Sequence, residues 1–513
     1  MIDRLIRGPG AIFLALGCYL LFITGMSVPM TGDQKVYLSI ALEMRERGDW
    51  IIPHLFGRAN FLKPPLQYWA TLVGWNLSGF NLAGALLPSV AALLASAWMV
   101  RRISRQKSFL PFLFFCSMIS SMTYGTTGQM EIWVVLFYCL SWFFWQEQRQ
   151  IAAWVSTGIL SWVKGPLYPA LWVFSAVLEK TLRRNLRECA RPRFLAGVLL
   201  GVGIGVSWYA VAARTHFDEV LAVFWMRENL GKLSTPQGSM AGLWAEFFAT
   251  LFPLLPWLVL SVLSGDFRAR WKENRVFWIS FGLVPAVFFS VFPYRVNTYL
   301  FLLTPLAVWM MSIETPRVSR RVRFIAGSMV AVAALLLLAL VFRLHAGGWI
   351  GGGLLAGALA AISLWASGHF NLNPAPVAAG SLFLVTVIRI AGVGIGEWDL
   401  KGLRDYQRAN PAEIAYLIDR EDIWHEFGLV SAALGAPVQR LANTEAMSGW
   451  LASGRSMILS DEQEARTRGL LCADWIRLKR RIRFPLKELL IHGLPIDSPD
   501  LHRVFHLCKK PAS

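Results

Sequence analysis

The sequence is short of charge. Lys, Arg, Asp and Glu make up 16% of its 513 residues, where a soluble domain carries about 25%. With 55% hydrophobic residues and a mean hydropathy of +0.47, that deficit excludes a soluble globular chain. Many uncharged windows reach about 18 to 22 residues, enough to cross a hydrocarbon core of about 30 Å. Nucleotide-binding loops are missing too. No Walker-type or Gly-x-Gly-x-x-Gly segment occurs, and Gly351-Gly352-Gly353 after Trp349 reads as helix packing or a bend. The eight histidines are scattered, with no pair at helical spacing beside carboxylates, so no metal-ligand spacing is visible. Neither a fixed-period nor an inverted repeat relates the halves, which weakens the case for a secondary transporter without excluding it. No small-residue cleavage pattern follows the apolar run behind Arg4 and Arg7, so that run reads as an uncleaved first span.

Cysteine is scarce, at six residues. Cys18, Cys116 and Cys139 lie in apolar runs and read as packing residues. Cys189 lies in a basic loop. Cys472 and Cys508 share the C-terminal region, and whether they pair depends on that region lying outside the cytoplasm.

What is abundant is positive charge, a net +18. Nucleic acid is excluded as its partner, because no basic, aromatic-studded soluble domain is present. The basic residues sit instead in short loops: RRISRQK, EKTLRRNLRECARPR, FRARWKENR and RVSRRVR. All four fall on one side if spans run over about 10–29, 82–100, 108–124, 132–146, 194–213, 242–263, 276–292, 298–312, 324–342, 347–367 and 375–396. Two short apolar pieces, 151–163 and 167–178, flank Lys164-Gly165-Pro166 and complete a count of about thirteen. The positive-inside rule then puts the N-terminus in the cytoplasm. The expected architecture is mostly α: a transmembrane domain over 1–397 with an outer-face loop at 30–81, and a small extracytoplasmic α/β domain over 398–513. In that tail, ANPAEIAYLIDR and TEAMSGWLASG read as helices, SMILSD and HRVFHLC as strands.

This topology gathers the polar segments on the outer face: Met30–Trp69, GTTGQME, the Lys164 corner, the 214–241 loop and FPYRVN. In the first, Val36, Tyr37, Ile40, Ala41 and Met44 share a helical face, with Lys35, Glu43, Glu46 and Arg47 largely off it. Such a helix is expected to lie flat in the interface. Asp33 reads either as that helix's N-cap or as a carboxylate able to act on a substrate. Lys63-Pro64-Pro65 makes a stiff corner, with Lys63 either snorkelling or holding a lipid phosphate. Glu131 opens a span, where the helix dipole alone favours an acid. Lys164 breaks a span at a depth where an unpaired ammonium is costly, and Glu131 or Asp33 is its natural partner. Arg227, Glu228, Asn229 and Lys232 form a second polar group, and Arg295, Asn297 and Tyr299 a third.

An acid after the first span, then ALEM…GDW and KPPLQYW, is similar to lipid-phosphate-dependent glycosyltransferases. These are the enzymes related to the aminoarabinose transferase of lipid A and to protein O-mannosyltransferases. GTTGQMEIWVVLF, SWVKGPLYPALWVF, SWYAVAA, RENLGK, FPLLPW and FFSVFPYRVNTYLFLLTPLAV resemble further family motifs in the same order, over about residues 10–315. The resemblance implies a GT-C fold in a bacterial inner membrane, acting at the periplasmic face. It implies a polyprenyl-phosphate (undecaprenyl phosphate) sugar donor and an acceptor that is lipid A, another glycolipid or glycan, or a protein. It makes Asp33 and Glu131 the catalytic acids, and Lys63, Lys164, Lys232, Arg295 and Tyr299 the residues around the donor phosphate, supported by Glu228 and Asn229. No cofactor is implied beyond a divalent metal in some relatives. Here Leu62 stands where many carry the acid that helps to hold it, and Glu131 stands where relatives carry Asp. The alternative from residues alone is a lipid or sugar transporter or flippase.

Overall fold

The computed structural model describes residues 8–25, 32–251 and 254–312, with shorter pieces at 377–378, 381–382, 431–432, 435, 450, 452–453 and five strands between 414 and 509. The chain is mostly α-helical. Three described helices are long and apolar enough to cross a membrane: Leu82–Ile103, Pro192–Ser234 and Gly265–Val291. The pair Met240–Thr250 and Leu255–Val262 makes a fourth candidate, and Gly10–Leu20, Met130–Gln146 and Thr298–Met311 are shorter apolar helices. The expected spans at 324–342, 347–367 and 375–396 fall outside the described residues, apart from a few positions in the last.

The helices that position the polar segments follow in order. Helix α1 is Gly10–Gly25 and α2 is Gly32–Arg47. A two-residue hairpin pairs His54–Leu55 (β1) with Arg58–Ala59 (β2). Then come α3 (Leu66–Ser78), α4 (Leu82–Ile103), α5 (Leu110–Cys116), α6 (Ile119–Thr126), α7 (Met130–Gln146), α8 (Gln150–Lys164), α9 (Leu167–Leu182) and α10 (Pro192–Glu219). The third expected span is thus two helices, parted at Ser117, whose hydroxyl donates to Leu113 and Ala378 carbonyls. The eighth is also two, with Pro256 opening the second, a position where its missing N–H costs no hydrogen bond. Helices α8 and α10 touch backbone to backbone. A β-carbon at Gly158 would lie 2.3 Å from the Gly201 carbonyl oxygen, the close approach that small residues permit between membrane helices.

Helix α2 departs from the expected interfacial helix. Residues 36–44 are buried without a break, so no face of that stretch is left for water or headgroups. Glu43 is among them, 1% exposed. Its carboxylate accepts the backbone N–H groups of Phe56 and Gly57 at 2.7 and 3.0 Å, and so satisfies a charge that burial would otherwise penalise. It anchors the β1–β2 turn, where Phe56 and Gly57 both have positive φ.

The two ends of the bundle differ in chemistry. At one end the basic runs converge. Arg105, Lys180 and Arg183 line a cavity of about 450 Å³ with Glu179, Glu188 and Glu273, and Arg270 donates to the Ser312 carbonyl. The other end holds the candidate site.

In the C-terminal region, five strands form one sheet in the order β4-β3-β5-β7-β6. They are β3 (Ile414–Leu417), β4 (Gln439–Leu441), β5 (Ser456–Leu459), β6 (Leu471–Lys479) and β7 (His502–Lys509). SMIL of SMILSD and HRVFHLC are strands, as expected. The expected helix over ANPAEIAYLIDR is not: its centre is β3, parallel to both β4 and β5. A strand flanked by parallel partners reads as a short continuous apolar run, and IAYL is such a run.

Candidate active site

Two glycine corners bring the first pair of charges together. Gly128 (φ +63) precedes α7, and Gly165 (φ +86) ends α8, both in the left-handed region that other residues enter at a cost. Past Gly128, Glu131 lies in the first turn of α7. Before Gly165, Lys164 is the last residue of α8. The Lys164 ammonium donates to Glu131 Oε1 at 2.6 Å, and both side chains are largely buried, 12% and 6% exposed. Glu131 is thus the partner of Lys164, while Asp33 lies within electrostatic range of the same ammonium.

Asp33 sits inside the first turn of α2, not at its cap. It is exposed, yet its field reaches the buried tyrosines Tyr37 and Tyr68 and the half-buried Tyr294. An exposed carboxylate is able to take a proton from a group arriving from solvent.

The second cluster joins residues far apart in sequence. The Lys63 ammonium lies 2.6 Å from Glu228 Oε2, and the Lys232 ammonium 3.0 Å from the same oxygen. Glu228 and Lys232 are i,i+4 neighbours beyond the His216 kink in α10, a spacing that places them on one face. Burial works against the Glu228 charge, and Lys63 and Lys232 outweigh it, holding the carboxyl below the usual carboxylate range. Burial and then the Lys63 charge push Lys232 below the usual lysine range, against the pull of Glu228. The Lys232 ammonium also lies 5.2 Å from the Tyr294 ring centroid. Asn229 donates to the Phe224 carbonyl at 2.7 Å and borders the Gly165 corner, so the second cluster abuts the first.

Of the third group, Tyr299 is buried within range of Lys164, Tyr168, Tyr294 and Glu131. Arg295 is placed differently. Its guanidinium donates to the Ser290 and Gly238 carbonyls at 3.0 and 3.3 Å. Its backbone N–H donates to the Gln237 carbonyl at 2.8 Å. It ties the 214–241 loop to FPYRVN, and its neighbour Tyr294 is the side chain that meets Lys232. Burial, Glu228 and Asp33 push the Tyr294 hydroxyl up.

Sequence reasoning missed this ring of tyrosines, Tyr37, Tyr68, Tyr168 and Tyr294. The signal was available, since each lies one to five positions from Asp33, Lys63, Lys164 or Arg295. It also missed Gln67, buried in α3. Trp133 Nε1 donates to Gln67 Oε1 at 2.9 Å, which ties the helix after the Lys63 corner to the helix bearing Glu131. Among the described residues, no three His, Cys, Asp or Glu side chains converge. Glu131 and Glu228 are committed to lysines, so these residues do not fit a divalent ion and no step is routed through one.

The fold is of the GT-C type. The chain superposes on two crystal structures of ArnT from Cupriavidus metallidurans, each at 16% identity. The TM-score is 0.66 for the form bound to undecaprenyl phosphate, covering 98% of this chain and 97% of that one. It is 0.68 for the apo form, covering 97% and 96%. In sequence the chain is similar to aminoarabinose transferases. It is 28% identical over 351 residues to undecaprenyl phosphate-alpha-4-amino-4-deoxy-L-arabinose arabinosyl transferase 2 of Pseudomonas fluorescens, covering 62% of this chain and 59% of that protein. It is 25% identical over 339 residues to the corresponding transferase of Yersinia enterocolitica, covering 61% and 60%. The matched part thus spans about three fifths of these relatives. No family model matches the chain.

Proposed function

We propose that this protein transfers a sugar from a polyprenyl-phosphate donor to an envelope acceptor at the periplasmic face of a bacterial inner membrane. The observation that carries the reading is the convergence of Lys63 and Lys232 on one carboxylate oxygen of Glu228, with Asn229 bordering the Gly165 corner next to Lys164. Two ammonium groups aimed at one oxygen make a seat for a phosphate. Glu228 accepts from both ammonium groups; a donor phosphate accepts the same kind of hydrogen bonds, which are strong because both partners are charged. As the sugar's C1–O bond breaks, negative charge grows on the departing polyprenyl phosphate, and the lysines stabilise it. Asp33 takes the proton of a hydroxyl acceptor as its oxygen attacks C1. A phosphate acceptor needs no base, and Asp33 then orients it. Glu131 keeps Lys164 in place. The relatives' names supply undecaprenyl phosphate and aminoarabinose as the donor to try first, with lipid A, another glycolipid or a protein as acceptor. A transporter is less favoured, since the charges of this site pair with one another in two adjoining clusters.

The test is mass spectrometry of envelope lipids, glycans and proteins from cells with and without the protein. A sugar-sized mass present only with the protein names donor and acceptor together; identical profiles under donor-rich conditions overturn the reading. A narrower measurement concerns Lys63. Lys63→Ala is expected to weaken polyprenyl-phosphate binding by about tenfold or more, the order of one charged hydrogen bond. Its pH dependence has a definite sign. Lys232 is depressed and so loses its proton before exposed lysines do. Donor affinity should fall as pH rises through a range below about 10.4, the ordinary lysine value. Unchanged affinity in Lys63→Ala, with a flat alkaline profile, removes this cluster from donor binding.

A further inference from the structure

The register of the C-terminal sheet sets two of the six cysteines opposite each other. Strands β6 and β7 are antiparallel, and Cys472 and Cys508 are direct Cα partners. The same rung continues to Met457 on β5. Directly opposed residues in an antiparallel pair have Cα atoms about 4.5 to 5.5 Å apart. A disulfide spans Cα separations of about 4.4 to 6.8 Å, so either kind of antiparallel pair accommodates one without moving a strand.

Compartment is the second requirement, because disulfides persist only where the surroundings are oxidising. Two contacts bear on it. Ala432 belongs to the main hydrophobic core, and a β-carbon at Gly435 would lie 3.5 Å from the Phe80 carbonyl oxygen. Phe80 lies in the turn between α3 and α4, and Arg45 of α2 stacks on its ring at 4.5 Å. That turn is at the end of α4 opposite Arg101 and Arg102. The C-terminal region therefore meets the bundle at the N-terminal end of α4, away from the basic loops that mark the cytoplasmic side. The remaining cysteines offer no competing partner there. Cys18, Cys116 and Cys139 lie in apolar helices, Cys189 lies in the basic loop, and all four are free thiols.

We propose that Cys472 and Cys508 form a disulfide that pins the edge strand β6 to β7. The proposal rests on the orientation of the chain and is independent of the sugar-transfer reading. The two thiols lose two protons and two electrons as the S–S bond forms. By thiol–disulfide exchange, the electrons reduce the disulfide of an extracytoplasmic dithiol oxidant to two thiols. The gain is specific to this place in the sheet. β6 lies at the end of the strand order, its ladder shifts register between Ala473 and Ile476, and edge strands are where pairing is lost or captured by other chains. The crosslink sits on the C-terminal side of β7, next to the last paired rung, and holds the register that the shift interrupts.

The test uses the full-length protein in membranes from acid-quenched cells. Free thiols are blocked with N-ethylmaleimide, the sample is reduced, and newly freed thiols are tagged with maleimide-polyethylene glycol. Two tags are expected, with a linked Cys472–Cys508 peptide pair in the unreduced digest. Cys472→Ser should abolish both tags and leave Cys508 open to a membrane-impermeant maleimide added to intact spheroplasts. Blocking of both cysteines in the first step overturns the proposal, as does labelling of Cys508 in that variant only after lysis. A protein found bridged but inactive in every transfer assay supports this disulfide and counts against the proposed function alone.

Discussion

Asp33→Asn is expected to abolish sugar transfer, with a loss of about a hundredfold to ten-thousandfold, the range that a positioned general base contributes. The amide keeps the size of the side chain and its place in the first turn of α2, but it accepts no proton. Because Asp33 is exposed and the amide is isosteric with the carboxylate, the protein level in membranes should not change. That separates a chemical role from a structural one. Donor affinity is expected to persist, since Lys63, Lys232 and Glu228 are untouched. The measurement is transfer from a polyprenyl-phosphate sugar in isolated membranes, normalised to protein by immunoblot. Full activity in this variant removes Asp33 from the mechanism. Loss of activity toward hydroxyl acceptors with retention toward phosphate acceptors confines its role to proton transfer.

Breaking the Lys164–Glu131 pair should have the largest effect on stability. Both side chains are mostly buried, and removing one partner of a buried pair costs about 3–5 kcal/mol, because the other charge stays desolvated. Glu131→Gln and Lys164→Met are each expected to lower the thermal midpoint of the detergent-solubilised protein and to reduce its yield. Combining Glu131→Gln with Lys164→Met removes the orphaned charge and should recover most of that stability, since replacing both charges of a buried pair is often near neutral. Transfer activity should stay low in the double variant, because the positive charge beside the reacting centre is gone. Recovery of activity together with stability would make the pair a packing device only. A single Glu131→Gln variant as stable as the parent would contradict the burial argument itself.

Much of this site was legible as segments and little of it as contacts. The Lys164 break, the stiff Lys63 corner and the opening acid of α7 announced themselves, because Pro, Gly and an isolated charge in an apolar run have strong local consequences. Lys164 needed a carboxylate, and its candidates were Glu131 and Asp33; the choice fell to Glu131 because two left-handed glycines aim α7 and α8 at one point. Glu228 looked like one polar residue among four in a loop. Only its meeting with Lys63, 165 residues away in sequence, makes it the hub of a two-lysine cluster. Arg295 shows a second role that only the fold reveals: besides the phosphate contact that the resemblance implies, its guanidinium donates to the Ser290 and Gly238 carbonyls.

Helix α2 and strand β3 mark where pattern reading failed. Apolar periodicity in α2 left Glu43 on the wet side, but two backbone donors in the following hairpin turn satisfied its carboxylate and let the helix be buried. IAYLID carries both helical and strand signals, and its neighbours β4 and β5 decided between them by offering parallel partners on both edges. By itself, then, the sequence determined the membrane class, the mostly helical architecture, the likeness to lipid-phosphate glycosyltransferases and the short list of charges able to act. Those properties follow from composition and local backbone preference, which each segment carries alone. The tertiary structure decided which charges pair, which acid stays exposed and which two cysteines face each other. Each is a property of two segments brought together, and a buried charge is stable only beside the partner that the fold supplies.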